Sequence, residues 1–279
     1  MNSPNRDRPS DAYVLGHSAR EIDRLTAQAR LIDPITRGFF RDAGIAAGMR
    51  VLDVGCGAGD VAFLAAELVG STGEVVGIDR VPAAVEAAAA RAMAMSLGNV
   101  SFRVGDAASI TFERPFDAAI GRYVLQFQSD PATMLRTVAA RVRSGGVIVF
   151  HEIDHGGVGS FPSVPTYDRC CRWVIETLRS HDTETRMGTK LHSTFVGAGL
   201  PAPSMRLEAL IGGGPKASDC VHLVSDLVGT LLPEMERLGI ATAADIGLET
   251  LAQRMSDEAL ASSSLIFGHW QIAAWSRVQ

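Results

Sequence analysis

Cysteine is scarce in this 279-residue chain: Cys56, Cys170, Cys171 and Cys220 form no CxxC pair and have no histidine pattern nearby. Adjacent Cys170 and Cys171 are poor joint ligands for a structural zinc. His181, His192, His222 and His269 are scattered without HxxxH or HExxH spacing, so no metal site is expected. The thiols read as reduced, as in a cytoplasmic protein. A basic stripe is also missing. Lys and Arg number 26 against 31 Asp and Glu, for a net charge of −5, which argues against long nucleic acids as partners. Long apolar runs are lacking too. The richest stretch, Ala83 to Leu97, contains Glu86 and Arg91 and is too short to cross a bilayer, so no membrane partner is expected. The opening MNSPNRDRPSDAY is polar, without the apolar core of a signal peptide. A soluble, cytoplasmic protein is the expectation.

What is present is ample apolar residue content, 47%, enough to bury a large core without disulfides. The length suits one α/β domain with insertions, or a domain and a small cap. Residues 1–11 read as a tail. Helical spacing of Ile22, Leu25, Ala29 and Ile32 gives one helix, and Pro34 to Ala43 a second. Short apolar runs then alternate with helical segments. Strands are expected at Arg50–Val54, Glu74–Ile78, Val100–Val104, Phe116–Ile120 and Val147–Ile153. Helices are expected at Asp60–Leu68, Ala83–Leu97 and, opened by the Asp130-Pro131 cap, 131 to about Val142. Five such alternations indicate a parallel sheet covered on both faces. Beyond Asp154, helices are expected at Pro165–Ser180, Lys190–Ala198 and across 217–261, with strands at Pro203–Ile211 and Leu265–Val278.

Ligands of open α/β sheets sit outside the carboxyl ends of the strands. Here the first strand ends in Gly55-Cys56-Gly57-Ala58-Gly59, where missing side chains allow a tight turn and close approach of a ligand. The following helix N-terminus offers free N–H groups. Asp79 ends the second strand twenty positions after Gly59, placed to accept from ribose hydroxyls. An adenosine-bearing cofactor is implied. A dinucleotide fingerprint would place Gly or Ala at position 60, whereas this chain has Asp60, which would repel a pyrophosphate.

The runs VLDVGCGAGD (51–60), VVGIDR (75–80), VGDA (104–107), FDAAIGRYVLQF (116–127) and GGVIVFHEID (145–154) resemble the successive motifs of class I S-adenosylmethionine-dependent methyltransferases. Within that family the chain is similar to the ubiquinone/menaquinone-biosynthesis-like, small-molecule branch. The resemblance implies a Rossmann-like, doubly wound, mostly parallel seven-stranded sheet. N-terminal helices would precede it, and a helical cap would be inserted in the C-terminal half. It implies a lid over 1–45, a cofactor-binding core over 46–155, and acceptor-recognition helices with the last strands over 156–279. It implies S-adenosyl-L-methionine as cofactor and S-adenosyl-L-homocysteine as product. Gly55, Cys56, Gly57 and Gly59 would line the methionyl moiety, with Asp53 near its amino group. Asp79 would hold the ribose, flanked by Arg80. Gly105, Asp106 and Ala107 would meet the adenine, and Arg122 would lie near the methionyl end and the acceptor, although a surface ion pair explains it equally well. Tyr13, His17 and Gln28 would fold over the cofactor.

A hydroxyl or ammonium acceptor needs a base, and His151, Glu152 and His155 cluster where the fifth strand ends. Strand alternation turns His151 and Glu152 to opposite faces, so one of them at most faces the site. A buried, satisfied histidine is the competing reading for His151 and His155. The acceptor is expected to be a small molecule recognised by 155–262, and the exposed helical segments suggest a homodimer. Two other functions fit the same motifs: a cyclase-like enzyme that binds the cofactor without methyl transfer, and an NAD-dependent oxidoreductase, which Asp60 disfavours.

Overall fold

The computed structural model describes residues 19–279. The chain opens with a single helix, α1 (Ala19–Asp42), where the sequence suggested two. Pro34 lies inside it, exposed, and removes one helical N–H, at a cost of about 3 kcal/mol. Burial of Ile32, Ile35, Phe39 and Phe40, at about 1.5–3 kcal/mol each, outweighs that loss and keeps the helix continuous.

Then come β1 (Arg50–Val54), α2 (Asp60–Val69), β2 (Glu74–Asp79), α3 (Pro82–Ala94), β3 (Val100–Val104), β4 (Phe116–Arg122), α4 (Pro131–Ala139) and β5 (Val142–Asp154). Asp130 caps α4 by accepting the Thr133 N–H at 2.9 Å, as the Asp-Pro pair suggested. This helix stops at Ala139, earlier than expected. The glycines at 145–146 lie within β5, opposite a register shift at Phe116/Ala118, and do not form a turn ahead of it. The remainder is β6 (Gly159–Phe161), α5 (Pro165–Arg179), α6 (Met187–Gly197), β7 (Ser204–Gly213), α7 (Ser218–Leu238), α8 (Ala243–Ile246), α9 (Leu248–Ala261) and β8 (Leu265–Arg277).

The sheet runs β3-β2-β1-β4-β5-β8, the first five strands parallel and β8 antiparallel to β5. Strand β7 pairs along β8, and the three-residue β6 joins its start, giving eight strands where seven were expected. One face carries Val51, Val75, Ala118, Ile120 and Val149 under α2 and Phe40 of α1. The other carries Leu52, Val76, Ile148 and Phe150 against Leu191 and Phe195 of α6. Helices α5, α7 and α9 bury a separate core built on Tyr167, Val174, Val221, Val228 and Met255. Among the described residues no helix is long and apolar enough to cross a membrane, and no group of three potential ligands could hold a metal ion.

Candidate active site

Register places a polar row along the carboxyl edge of the sheet. Asp53 lies opposite Gly77 of β2 and Ile120 of β4, Arg122 opposite His151, and His151 opposite Ala273 of β8. With alternating side chains, Asp79, Asp53, Arg122, His151 and Gln271 therefore share the face covered by α1 and α2.

The turn after β1 is built from left-handed glycines: φ is +68° at Gly55, +51° at Gly57 and +93° at Gly59. A Cβ on Gly57 would project into open space, whereas one on Gly59 would come within 2.7 Å of Phe63. The N–H groups of Gly55 and Cys56 both donate to the Ile78 carbonyl at 2.9 Å, tying the turn to the end of β2. Asp79 accepts from Gly57 N–H at 2.9 Å and Val81 N–H at 3.0 Å, one bond to each oxygen, so each oxygen can accept another. Beside it, Gly105 N–H donates to the Asp79 carbonyl at 2.9 Å. Asp106 accepts from Ala108 N–H at 2.7 Å and lies 3.6 Å from Arg80. Asp79, Arg80, Gly105, Asp106 and the buried Ala107 thus gather at the ends of β2 and β3.

Asp53 is the anomaly. It is 1% exposed, neither carboxylate oxygen makes a hydrogen bond of standard geometry, and the Ala62 backbone N–H lies close enough only to lower its pKa slightly. Burial pushes its pKa up to about 8. Arg122 acts in the opposite direction, and Asp79 and Asp60 add to the rise. Asp60 itself pairs with Arg91 at 2.7 Å, so its repulsion of a pyrophosphate is weaker than the sequence suggested. The case against a dinucleotide passes to glycine spacing.

Arg122 forms no surface ion pair. Its side chain is 9% exposed and donates from Nη1 to Asp33 of α1 at 2.7 Å and to Thr36 at 3.1 Å. Next to it, Tyr123 holds φ at +59°, rare for a non-glycine residue and a strain that tends to mark functional turns. The Tyr123 hydroxyl bonds to Gln271 Oε1, which also meets His151 Nε2 at 2.9 Å, while His151 Nδ1 meets Thr36 Oγ1 at 3.2 Å. Gln271 donates its amide N–H to the His269 carbonyl, which fixes Oε1 as acceptor and assigns the His151 proton to Nε2. Burial and Arg122 bring His151 down to about 3, so it is neutral.

Of the three candidate bases at the β5 end, this geometry engages two, His151 and Glu152, while His155 keeps Nδ1 without a partner. His151 has both ring nitrogens engaged. Glu152, on the opposite face and fully buried, accepts the N–H groups of Val124 (2.9 Å), Leu125 (2.8 Å) and Gln126 (3.4 Å). His155 is buried beside His269, with ring centroids 4.5 Å apart, and faces an open cleft beside α5. Tyr13 and His17 lie outside the described residues, as does the side chain of Gln28. Sequence reasoning missed Asp33, Thr36, Tyr123 and Gln271. Among these, Tyr123 carried a signal, since it follows the strand-terminal Arg122 at a point where the chain must turn.

This sheet order and polar row are those of a class I S-adenosylmethionine-dependent methyltransferase. A family profile described as a methyltransferase domain matches residues 45–195. The chain is 37% identical over 149 residues to aklanonic acid methyltransferase DauC of Streptomyces sp. (strain C5), covering 53% of this chain and 66% of that one, just under two thirds. It is 41% identical over 195 residues to a 2-phytyl-1,4-naphtoquinone methyltransferase of Synechococcus elongatus, covering 67% and 79%. In fold it is similar to geranyl diphosphate methyltransferase solved with its cofactor (TM-score 0.54, 16% identity, 95% and 94% covered) and to the [4+2]-cyclase SpnF (0.54, 21%, 88% and 82%). The chain belongs to the methyltransferase-domain family.

The residues present fit its cofactor. The unpaired Asp53 carboxylate suits the methionyl ammonium, the open space over Gly57 admits the chain that carries it, and Asp79 retains acceptor capacity for the ribose.

Proposed function

We propose that this chain transfers a methyl group from S-adenosylmethionine to a small molecule, with the acceptor held between the sheet edge and the helical cap. The observation that carries the reading is Asp53, a buried carboxylate with both oxygens unpaired beside a glycine turn. Such a group favours a cationic ligand over a pyrophosphate. When bound, the cofactor supplies a methyl already activated for in-line displacement. The chain's own task is to hold, orient and exclude water, which can supply about 7–11 kcal/mol. In this reading, residues 46–155 hold the cofactor, α1 covers it through Asp33 and Thr36, and residues 156–279 recognise the acceptor.

His151 and Glu152 act here as positioning residues. His151 fixes the Tyr123 hydroxyl through Gln271, and Glu152 fixes the backbone that follows the strained turn. With His151 and Glu152 both engaged, the suitable acceptor is one whose own group ionises readily, such as an enol, a phenol or a carboxylic acid. Of the acceptors in two relatives' names, aklanonic acid falls in that class, whereas a naphthoquinone is a small molecule without an ionisable O–H.

The test is differential scanning with S-adenosylhomocysteine against NAD, followed by a labelled-methyl screen over acidic-oxygen metabolites. Stabilisation by S-adenosylhomocysteine and label transfer are expected. Stabilisation by NAD alone overturns the cofactor. Stabilisation by S-adenosylhomocysteine without transfer to any member of the panel favours the cyclase-like alternative.

A further inference from the structure

Past the carboxyl end of β5 the chain borders an open cleft of about 600 Å³ beside α5, apart from the polar row described above. Arg172, Ile175, Glu176 and Arg179 reach it from α5, at the i, i+3, i+4, i+7 spacing of one helix face. His155 and Arg186 face them from the other side.

Three guanidinium groups line this cleft against one lining carboxylate, and they are unequally engaged. Arg186 is committed, donating from Nε to Asp154 at 2.8 Å. Asp154 is fully buried, and it also accepts Gly156 N–H at 2.8 Å and Thr189 N–H at 3.0 Å. Arg179 donates from Nε to Thr185 Oγ1 at 3.2 Å, and among the described residues no carboxylate comes within ion-pair distance of it. Arg172 forms no ion pair or hydrogen bond among the described residues, and neither does Glu176 through its side chain. Two planar guanidiniums are therefore left to present N–H groups to an incoming anion, the geometry that favours carboxylate.

His155 gives the second, independent indication. It is 4% exposed, lines the cleft, and its Nδ1 is buried without a partner. Burial, His269 and Arg179 hold it well below the ordinary histidine range, so it is a neutral imidazole. An unpaired buried ring nitrogen is uncommon unless a ligand or water completes it. Together with Ile175, it suits a ring system bearing a polar oxygen.

We infer that this cleft binds an organic carboxylate on an aromatic or polycyclic body, with Arg172 and Arg179 taking the carboxylate. That ligand is the methyl acceptor, an assignment that rests on the function proposed above. His155 directly follows Asp154, the last residue of β5, and Asp154 lies three residues, about 10 Å at 3.3 Å per residue, beyond His151. A bicyclic or tricyclic acid anchored beside α5 would extend its other end toward Arg122 and Tyr123. Remote anchoring of this kind lets binding energy away from the reacting atom position the acceptor.

The probe is 2-naphthoate, compared with the uncharged 2-naphthamide, titrated calorimetrically into the full chain both without and with saturating S-adenosylhomocysteine. Naphthoate is expected to bind at least tenfold more tightly than the amide, and raising salt should weaken it. The double variant Arg172→Gln, Arg179→Gln should remove most of that preference while leaving S-adenosylhomocysteine affinity unchanged. Equal binding of acid and amide, or failure of both, overturns the carboxylate site. Exclusion of naphthoate by S-adenosylhomocysteine overturns its assignment as the acceptor position. Failure to bind S-adenosylhomocysteine in the same titration is a different result, and it falls on the proposed function.

Discussion

Asp53 destabilises the fold in a way that a neutral replacement should relieve. Its pKa rises from 3.8 to about 8 because burial removes water, a loss that Arg122 and the Ala62 N–H offset only in part. A tenfold change in proton affinity is worth about 1.4 kcal/mol, so ionised Asp53 costs the fold on the order of 5 kcal/mol at most. The sign follows from proton binding. A carboxyl group with a raised folded pKa holds its proton more tightly when folded than when unfolded, so its contribution is fully present below pH 3.8 and is lost as pH rises through about 8. Between pH 5 and pH 9 this group alone should remove about 4 kcal/mol at most, and about 2–4 kcal/mol after water penetration.

Asp53→Asn keeps the shape and removes the charge. Urea denaturation at pH 5, 6, 7, 8 and 9 should give a flatter profile than the parent, with the variant about 2–4 kcal/mol more stable at pH 8. If Asp53 holds the methionyl ammonium as proposed, the same change removes that carboxylate, and the Kd for S-adenosylhomocysteine should rise at least about tenfold, or 1.4 kcal/mol. A more stable protein that binds its product less well is the signature of a group kept for binding. If Asp53→Asn unfolds more easily at pH 8, or binds S-adenosylhomocysteine as tightly as the parent, the reasoning fails.

Glu152→Ala strands the N–H groups of Val124, Leu125 and Gln126 in the interior and should cost about 3–5 kcal/mol by chemical denaturation. Glu152→Gln keeps the Oε1 acceptor and should cost about 1–2 kcal/mol, and equal losses in the two would show that the bonds to the backbone are not what matters. In the glycine turn, Gly57→Ala meets nothing within 4 Å and pays chiefly for φ +51°, about 1–2 kcal/mol, yet its methyl occupies the ligand's space. Gly59→Ala instead drives a Cβ to within 2.7 Å of Phe63 and should lose at least about 2 kcal/mol. The two are told apart by thermal scanning with and without S-adenosylhomocysteine. Gly57→Ala should lose most of the ligand-induced shift at nearly parental apo stability, and a full shift would remove Gly57 from the site.

The parts of the site that were legible in the sequence are those made by neighbours. The glycine turn, Asp79 and the Asp106 end of β3 each follow a short apolar run, and the chain must turn at each, so local spacing places them. The missed parts are made at long range. Asp33 reaches Arg122 across 89 residues, Thr36 reaches His151 across 115, His151 reaches Gln271 across 120, and Tyr123 reaches Gln271 across 148. No periodicity encodes such pairs, because they depend on α1 crossing the sheet edge and on β8 returning antiparallel beside β5. Pro34 misled for the related reason that a local breaker was overridden by tertiary burial. Glu152 and His151 misled differently. Residue type suggested proton transfer, while burial and partners decide whether a titratable group is free to perform it, and at this edge the partners take both. The same rule, applied to the acid that lacks partners, is what gives Asp53 its significance: a polar group left unpaired in a packed interior is expensive, and a fold that retains one beside a ligand-sized opening has a reason outside its own stability.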